Sequence, residues 1–319
     1  MTEPLKIAVV GAGAFGIQHL NAIAGLDEAE VIALVGKDLQ ETRAIANRYG
    51  IAQAIADLFD VLKRPEISAV ILCTPTPLHA VQAIACLQAG KHVQVEIPLA
   101  DSLADAETVA LLQQRTGLVA MCGHTRRFNR GHQWLRDRIL TGQFSLRQLD
   151  VQTHFLRRSN TNALGQPRDW TDHLLWHHAA HTVDLFQYQT GEEVITANVL
   201  QGPIDQTLGI ALDMVIQLKS RGGALCTLSL SFNNNGPLGS TFRYIGDGST
   251  YIARYDELTN GHGESVALDL PEPEVSGIAR QDREFFRAIR ERREPNASVA
   301  SVLPCYRVLH QLAQQLVQG

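Results

Sequence analysis

The segment Asp172-His173-Leu174-Leu175-Trp176-His177-His178-Ala179-Ala180-His181 places four histidines within nine positions. Imidazole takes up and releases protons near neutral pH, and it is also a common metal ligand. His173, His177 and His181 recur every four residues, the spacing that stacks side chains along one face of a helix. Such a face could handle protons, ligate a metal, or carry ordinary polar groups. Positions i and i+8 lie about 12 Å apart along a helix axis, too far for one ion with ligand bonds of about 2 Å. Two of the histidines would need a third ligand from elsewhere, and the chain has no His-Glu-x-x-His and no Cys-x-x-Cys. We therefore expect no metal.

A second pattern concerns phosphate. Gly11-Ala12-Gly13-Ala14-Phe15-Gly16 is a Gly-x-Gly-x-x-Gly loop between an apolar run, KIAVVG, and a segment with helical spacing. Gly11 permits the tight turn, Gly13 lets the backbone approach a pyrophosphate, and Gly16 lets helix and strand pack closely. Free N–H groups at the helix start, around Ala14 and Phe15, favour the anion. The next strand ends Val35-Gly36-Lys37-Asp38. An acid at its end would bond the ribose 2′-hydroxyl of NAD; Gly36 and Lys37 instead suit a 2′-phosphate. We read NADP as the cofactor and NAD as the poorer alternative, in which Lys37 is a solvated charge and Asp38 reads the ribose.

The elements that must hold these groups follow from the apolar pattern. Up to residue 123, apolar strand runs (6–11, 30–36, 69–75, 92–98 and 118–123) alternate with helical segments. Continuous apolar strands in such alternation predict a parallel sheet covered on both faces. Ligands sit beyond the carboxyl ends of such strands, which marks Thr74, Pro75, His79, Glu96 and Pro98 as cofactor-side candidates, Glu96 for the nicotinamide ribose. Beyond 124 come a helix near 129–141, strand segments joined by Gly- and Asn-rich turns, and two closing helices near 278–292 and 298–317. The fold class is therefore α/β: a Rossmann domain over 1–123, then an α+β domain over 124–319 with an open, mostly antiparallel sheet. Thr171 or Asp172 is placed to cap the histidine helix.

With a formal charge of −5 and no basic block, nucleic acid is not an expected partner. Pro75 and Pro77 interrupt the long uncharged stretch over 69–90, which excludes a membrane span there. The opening lacks a signal-peptide layout, and the five cysteines form no paired motif. Both point to a cytoplasmic protein. An open sheet with one uncovered face points to a homodimer or homotetramer.

GAGAFG, CTPTPLH (73–79), GKHVQVEIPLA (90–100) and the His181–Asp184 segment together resemble the glucose-fructose oxidoreductase/inositol dehydrogenase superfamily over nearly the whole chain. The resemblance implies a nicotinamide-dependent oxidoreductase with its active site between two domains. Two positions depart from the usual pattern. Members commonly carry Glu-Lys-Pro where this chain has Glu96-Ile97-Pro98, and Asp-x-x-x-His-x-x-Asp where it has His177-x-x-x-His181-x-x-Asp184. Ile97 cannot polarise a substrate oxygen, so ordinary sugar or cyclitol chemistry becomes the alternative. The strings HVQVEIPLADS, GHTRRFN, WTDHLLWHHAAHTVDLF and TLSLSFNNNGPLG resemble a narrower branch. That branch implies NADP-linked oxidation of a dicarboxylate semialdehyde, as its cyclic hemiacetal, to a pyrone lactone in aromatic-ring degradation.

On that resemblance His181 stands where the catalytic base belongs. His177 would orient it or relay its proton, and Asp184 would fix its tautomer. A dicarboxylate calls for arginine forks: Arg126 and Arg127, Arg158 of the 157–158 pair, and Arg168, with His124 and His178 nearby. Adjacent arginines on an extended segment point oppositely, so one of each pair faces solvent. A non-catalytic NADP-binding redox sensor, and less so a metal-dependent hydrolase, are the readings of other classes.

Overall fold

The computed structural model describes residues 3–161, 165, 167, 168, 170–268 and 275–318. The chain divides into two compact units, residues 1–123 with 278–303, and residues 124–277 with 304–319.

In the first unit β1 (Leu5–Val10), β2 (Ala29–Val35), β3 (Gln53–Ile55), β4 (Ala69–Leu72), β5 (His92–Val95) and β6 (Ala120–Cys122) form one parallel sheet in the order β3-β2-β1-β4-β5-β6. α1 (Ala14–Ile23), α2 (Leu39–Arg48), α3 (Leu58–Leu62), α4 (His79–Gln88) and α5 (Leu103–Thr116) connect the strands. Ile7, Ala8 and Val9 of β1 and all four residues of β4 are fully buried, as expected of strands covered on both faces. Strand order reverses between β1 and β4, which makes the crevice at their carboxyl ends the ligand position of such a sheet.

The first segment of the first unit ends at Gly123. The expected course of the chain's end is not what is seen, because 278–303 packs with the first unit. α6 (Arg130–Leu140) and α7 (Ala180–Thr190) belong to the second unit, whereas α8 (Gly277–Glu291) buries Asp282, Phe285 and Phe286 in the first. The partners of α8 lie far back in sequence, beyond the reach of any local pattern.

The second unit carries a seven-stranded sheet in the order β13-β12-β11-β7-β10-β9-β8. Its strands are β7 (Leu146–His154), β8 (Val194–Gln201), β9 (Asp213–Ser220), β10 (Leu225–Ser231), β11 (Gly239–Gly246), β12 (Thr250–Arg254) and β13 (Glu257–Asn260). Only β7 and β10 pair in parallel; the other neighbours are antiparallel. β9 alternates exposed and buried residue by residue, which puts one sheet face on the core and leaves the other open. α9 (Val299–Gln318) contributes its residues from Pro304 onward to this unit.

The histidine segment is not the regular α-helix its spacing predicts. Leu174–Ala179 form a π-helical turn that runs into α7. Its N-cap is His173 rather than Thr171 or Asp172, the His173 side chain accepting from the Leu175 N–H. A π turn bonds i to i+5, so the regular four-residue repeat is interrupted after His173, the N-cap, whose carbonyl accepts from the His177 N–H at 3.0 Å. All five cysteines are free. Among the described residues no helix is long and apolar enough to cross a membrane.

Candidate active site

The glycine loop of the first unit fits a dinucleotide. Gly11 has φ +113° and a Cβ there would stand 2.4 Å from the Cys73 carbonyl oxygen. A Cβ on Gly16 would stand 1.8 Å from the Gly11 carbonyl oxygen, so α1 packs directly on the loop. Around Gly13, by contrast, nothing lies within 4 Å of a Cβ position, and Gly13 gives the helix no side-chain cap. The first-turn N–H groups at Ala14 and the exposed Phe15 are thus open to a pyrophosphate, as the chemistry of the loop requires.

At the end of β2 a Cβ on Gly36 would stand 2.2 Å from Thr42 Oγ1 and 3.0 Å from Ala12 Cβ. No acidic side chain could occupy that position. Asp38 is employed as the N-cap of α2, its Oδ1 accepting from the N–H groups of Gln40 and Glu41 at 2.8 and 2.9 Å. Lys37 is exposed beside it.

The cofactor-side candidates separate into open and structural residues. Thr74 donates to Gln82 Oε1 at 2.6 Å, and Pro75 caps the short 3-10 turn Thr76–Leu78. His79 is buried, with Nδ1 2.6 Å from the Pro98 carbonyl oxygen and Nε2 2.7 Å from that of Thr74. It ties together the chain after β4 and the chain after β5, so both ring nitrogens are taken and its expected cofactor contact is corrected to a structural tie. Pro98 is buried as well. Ile97, 4% exposed, sits where a lysine would be.

Glu96 brings in a residue that sequence reasoning missed. Its Oε1 lies 3.1 Å from Nε2 of His19 on α1, and His19 Nδ1 lies 2.9 Å from both carboxylate oxygens of Asp282 on α8. His19 and Asp282 are fully buried. A signal was available: Gly16, His19, Leu20 and Ile23 form the buried stripe of α1, and a histidine there has to find partners inside.

In the second unit the candidates fall into two linked groups. Around Asp184, Arg127 donates through Nε at 2.8 Å and NH2 at 2.6 Å, and His124 Nδ1 lies 3.3 Å away. Burial alone would lower the Arg127 guanidinium; Asp184 more than offsets it and raises it. Arg127 is thus committed to a buried ion pair rather than open to substrate. Asp184 faces Arg127 and His124, not His181, so it is not the group that fixes the tautomer of His181.

Around Asp172, Arg157 donates at 2.5 and 2.6 Å, Arg168 NH2 lies at 2.6 Å and His178 Nε2 at 3.1 Å. Burial would raise this carboxyl, but the bonds from His178 and Arg157 and the nearby His177 hold it well below the usual carboxylate range. Arg157 is the inward member of its pair, lying over the Phe232 ring. Arg158 is the exposed one, bonded to Asn233 Oδ1 at 2.9 Å, so its expected substrate contact is corrected to the solvent side. Asp172, His177 and His178 offer ligand atoms within 4.8 Å of one another. Two guanidinium groups on the same carboxylate, however, leave this surrounding net positive, which suits an anion better than a metal ion.

His181 lies between these groups, its ring centroid 6.3 Å from that of His124. Its Nδ1 is buried without a hydrogen-bond partner. Burial first, then the charge of Arg126 and the rings of His124, His177 and His178, hold its pKa well below the ordinary value. Arg126 has only long bonds to Asn129 Oδ1 and Ser240 Oγ, 3.4 Å each, and lies over the rings of Phe242 and Tyr255. No ion pair engages it among the described residues, and its Nε is buried and unbonded. Part of the loop before Asp172 (162–164, 166 and 169) lies outside the described residues.

Comparison with known proteins agrees with this picture. Residues 5–124 match the oxidoreductase family with an NAD-binding Rossmann fold, and residues 130–271 the C-terminal domain of bacterial oxidoreductases. A curated protein from Sphingobium sp., 4-carboxy-2-hydroxymuconate-6-semialdehyde dehydrogenase, is 57% identical over 98% of this chain and 99% of its own. The chain belongs to this oxidoreductase family. Myo-inositol 2-dehydrogenase from Thermotoga maritima is 27% identical over 69% of this chain and 66% of its own. In fold, an oxidoreductase domain protein from Kribbella flavida superposes with a TM-score of 0.87 at 22% identity, covering 99% of this chain and 98% of that one. The glycine loop, the Glu-Ile-Pro turn and the His181 cluster are therefore parts of an oxidoreductase.

Proposed function

We propose that this oxidoreductase converts 4-carboxy-2-hydroxymuconate-6-semialdehyde, as its cyclic hemiacetal, to 2-pyrone-4,6-dicarboxylate with NADP, in the 4,5-cleavage route of protocatechuate. One observation carries the reading. In a chain so similar to the Sphingobium enzyme, His181 feels the charge of a guanidinium, Arg126, that has no carboxylate partner among the described residues. The bound dinucleotide supplies the hydride acceptor. His181 takes the hydroxyl proton of the hemiacetal, and His177 and His178 border it. Arg126 binds one substrate carboxylate through its planar fork, with Arg168 and the other groups around Asp172 drawing the second. Before substrate arrives, the positive charge of Arg126 keeps His181 a weak base. A substrate carboxylate neutralises that charge and raises the basicity of His181 when it is needed.

Cofactor choice rests on the end of β2. Gly36 admits no acid, Asp38 turns its Oδ1 to the cap of α2, and exposed Lys37 offers a cation to a 2′-phosphate. NADP is favoured, with NAD as the poorer cofactor. The open face of the second unit's sheet carries Leu200, Val215 and Leu225 exposed, which supports a homo-oligomer, dimer or tetramer.

The test is NADPH formation followed by near-ultraviolet absorbance with freshly made semialdehyde, with NAD run in parallel. Rapid reduction that His181→Asn sharply slows, with NADPH affinity kept, is expected. Cofactor binding with no turnover would favour a sensor, and turnover of a sugar or cyclitol alone would overturn the substrate.

A further inference from the structure

The cluster on the inner side of the glycine-loop helix remains unexplained by these roles. His19 is fully buried and presents each ring nitrogen to a carboxylate: Nδ1 to Asp282 at 2.9 Å and Nε2 to Glu96 at 3.1 Å. A neutral imidazole has one N–H and one lone pair. One carboxylate would then face a lone pair at hydrogen-bond distance inside a dry core, which is strongly unfavourable. Both contacts are satisfied only when the cluster holds a second proton, and between an imidazole and two carboxylates that proton belongs on the ring, the stronger base.

The rest of the cluster agrees. Gln94 Nε2 donates to Asp282 Oδ1 at 2.7 Å, and Gln281 Nε2 approaches Glu96 Oε1 at 3.4 Å. The remaining neighbour, the Cys73 thiol, is pushed up by burial and stays protonated. Burial would lower His19, yet Asp282 and the other partners raise it well above its ordinary value. The two acids thus share one cation.

Glu96 is held on one side only. Oε1 takes both of its hydrogen bonds, and it fits there because residue 123 is glycine: a Cβ at that position would stand 2.5 Å from the same atom. Oε2 bonds nothing among the described residues and is not enclosed. It stands just past β5, at the carboxyl edge of the parallel sheet where ligands bind.

We infer that His19 is a positioning residue for the cofactor: held as an imidazolium between Asp282 and Glu96, it grips Glu96 Oε1 and so presents Oε2 as a fixed acceptor for a hydroxyl of the nicotinamide ribose. This rests on the reading that Glu96 contacts the dinucleotide. The same cation joins the phosphate-binding helix α1, the end of β5 and α8.

NADPH binding tests this without any substrate. Titration followed by nicotinamide fluorescence compares the native protein with His19→Gln, Glu96→Gln and the double variant, at pH 6 and 8.5. Each single variant is expected to weaken NADPH about tenfold, and the double variant no more than the weaker single. In His19→Gln no cation remains between the two carboxylates, so its deficit against the native protein is expected to be deeper at pH 6 than at 8.5. Additive losses, or a full effect of Glu96→Gln with none from His19→Gln, would overturn the inference. A Glu96→Gln variant that binds normally would instead remove the cofactor role of Glu96 itself. Should His19→Gln not fold, nitrogen NMR of the histidine-labelled native protein at pH 8 decides: a doubly protonated ring is expected, and a neutral ring for His19 refutes.

Discussion

Replacing Arg126 by Gln removes one charge and should change two separate quantities. Folding should suffer little, because among the described residues the guanidinium makes two 3.4 Å bonds and ring contacts and joins no ion pair. Substrate recognition should suffer more. A hydrogen bond between charged partners contributes about 1.5–3 kcal/mol, so kcat/KM should fall roughly 10- to 150-fold, with NADPH affinity unchanged. The second effect concerns pH. A base works only when deprotonated, so activity is lost as pH falls through its pKa. Burial, then Arg126, hold His181 low; with the charge gone, its pKa moves up and the acid limb of kcat/KM moves to higher pH. In the native protein the same logic places the acid limb of kcat above that of kcat/KM, because bound carboxylate has already neutralised Arg126. Initial rates of NADPH formation from pH 5 to 9 measure all of this. An unchanged kcat/KM would show that the carboxylate is held elsewhere. A fall with an unmoved acid limb would show that His181 is not the base whose proton is followed.

Arg127→Met leaves Asp184, whose side chain is 2% exposed, with His124 as its nearest remaining ionisable neighbour. Urea unfolding should show a loss of about 3–5 kcal/mol, and a loss below about 1 kcal/mol would contradict the buried-pair reading. Lys37→Ala should raise KM for NADP about tenfold and leave NAD unaffected; parallel kinetics with both cofactors check this. His132 bonds the Tyr244 hydroxyl at 2.7 Å, and burial, with Arg126, lowers its pKa to about 3. The unfolded chain therefore binds this proton first. Stability is fully present above the ordinary value of 6.5 and falls as pH drops toward 3, by about 2 kcal/mol between pH 6.5 and 5. Denaturation of His132→Asn over that range should show a correspondingly flatter dependence.

The parallel sheet and its glycine loop are legible in the sequence because each element is defined locally. Continuous apolar strands, capped helices and Gly11, Gly13 and Gly16 all fall within short windows. β3 escapes because three residues carry no periodicity. The membership of 278–303 escapes because it depends on pairs such as His19 with Asp282, 263 residues apart. In the second unit, the spacing of the histidines is real but misleading: it assumes an α-helical repeat where the backbone makes a π turn. Strand alternation shows that one arginine of the 157–158 pair faces outward, but only the neighbours Asp172 and Asn233 decide which. Arg126 and Arg127 differ in the same way, since Asp184 is a tertiary partner no local window contains.

The split make-up of the first unit also governs how the protein is born. Its strands, glycine loop and His19 leave the ribosome early, but Asp282 and the rest of α8 emerge only after all of 124–277 has been made. At about 5–20 residues per second, roughly 150 intervening residues impose a wait on the order of ten seconds or more. Through that interval Glu96 and His19 wait without their third member, and the 124–277 part of the second unit, still lacking its 304–319 segment, has time to take shape between the two halves of the first. A message truncated before α8 would thus yield a complete phosphate loop on an incomplete core, a product for proteases rather than a smaller enzyme.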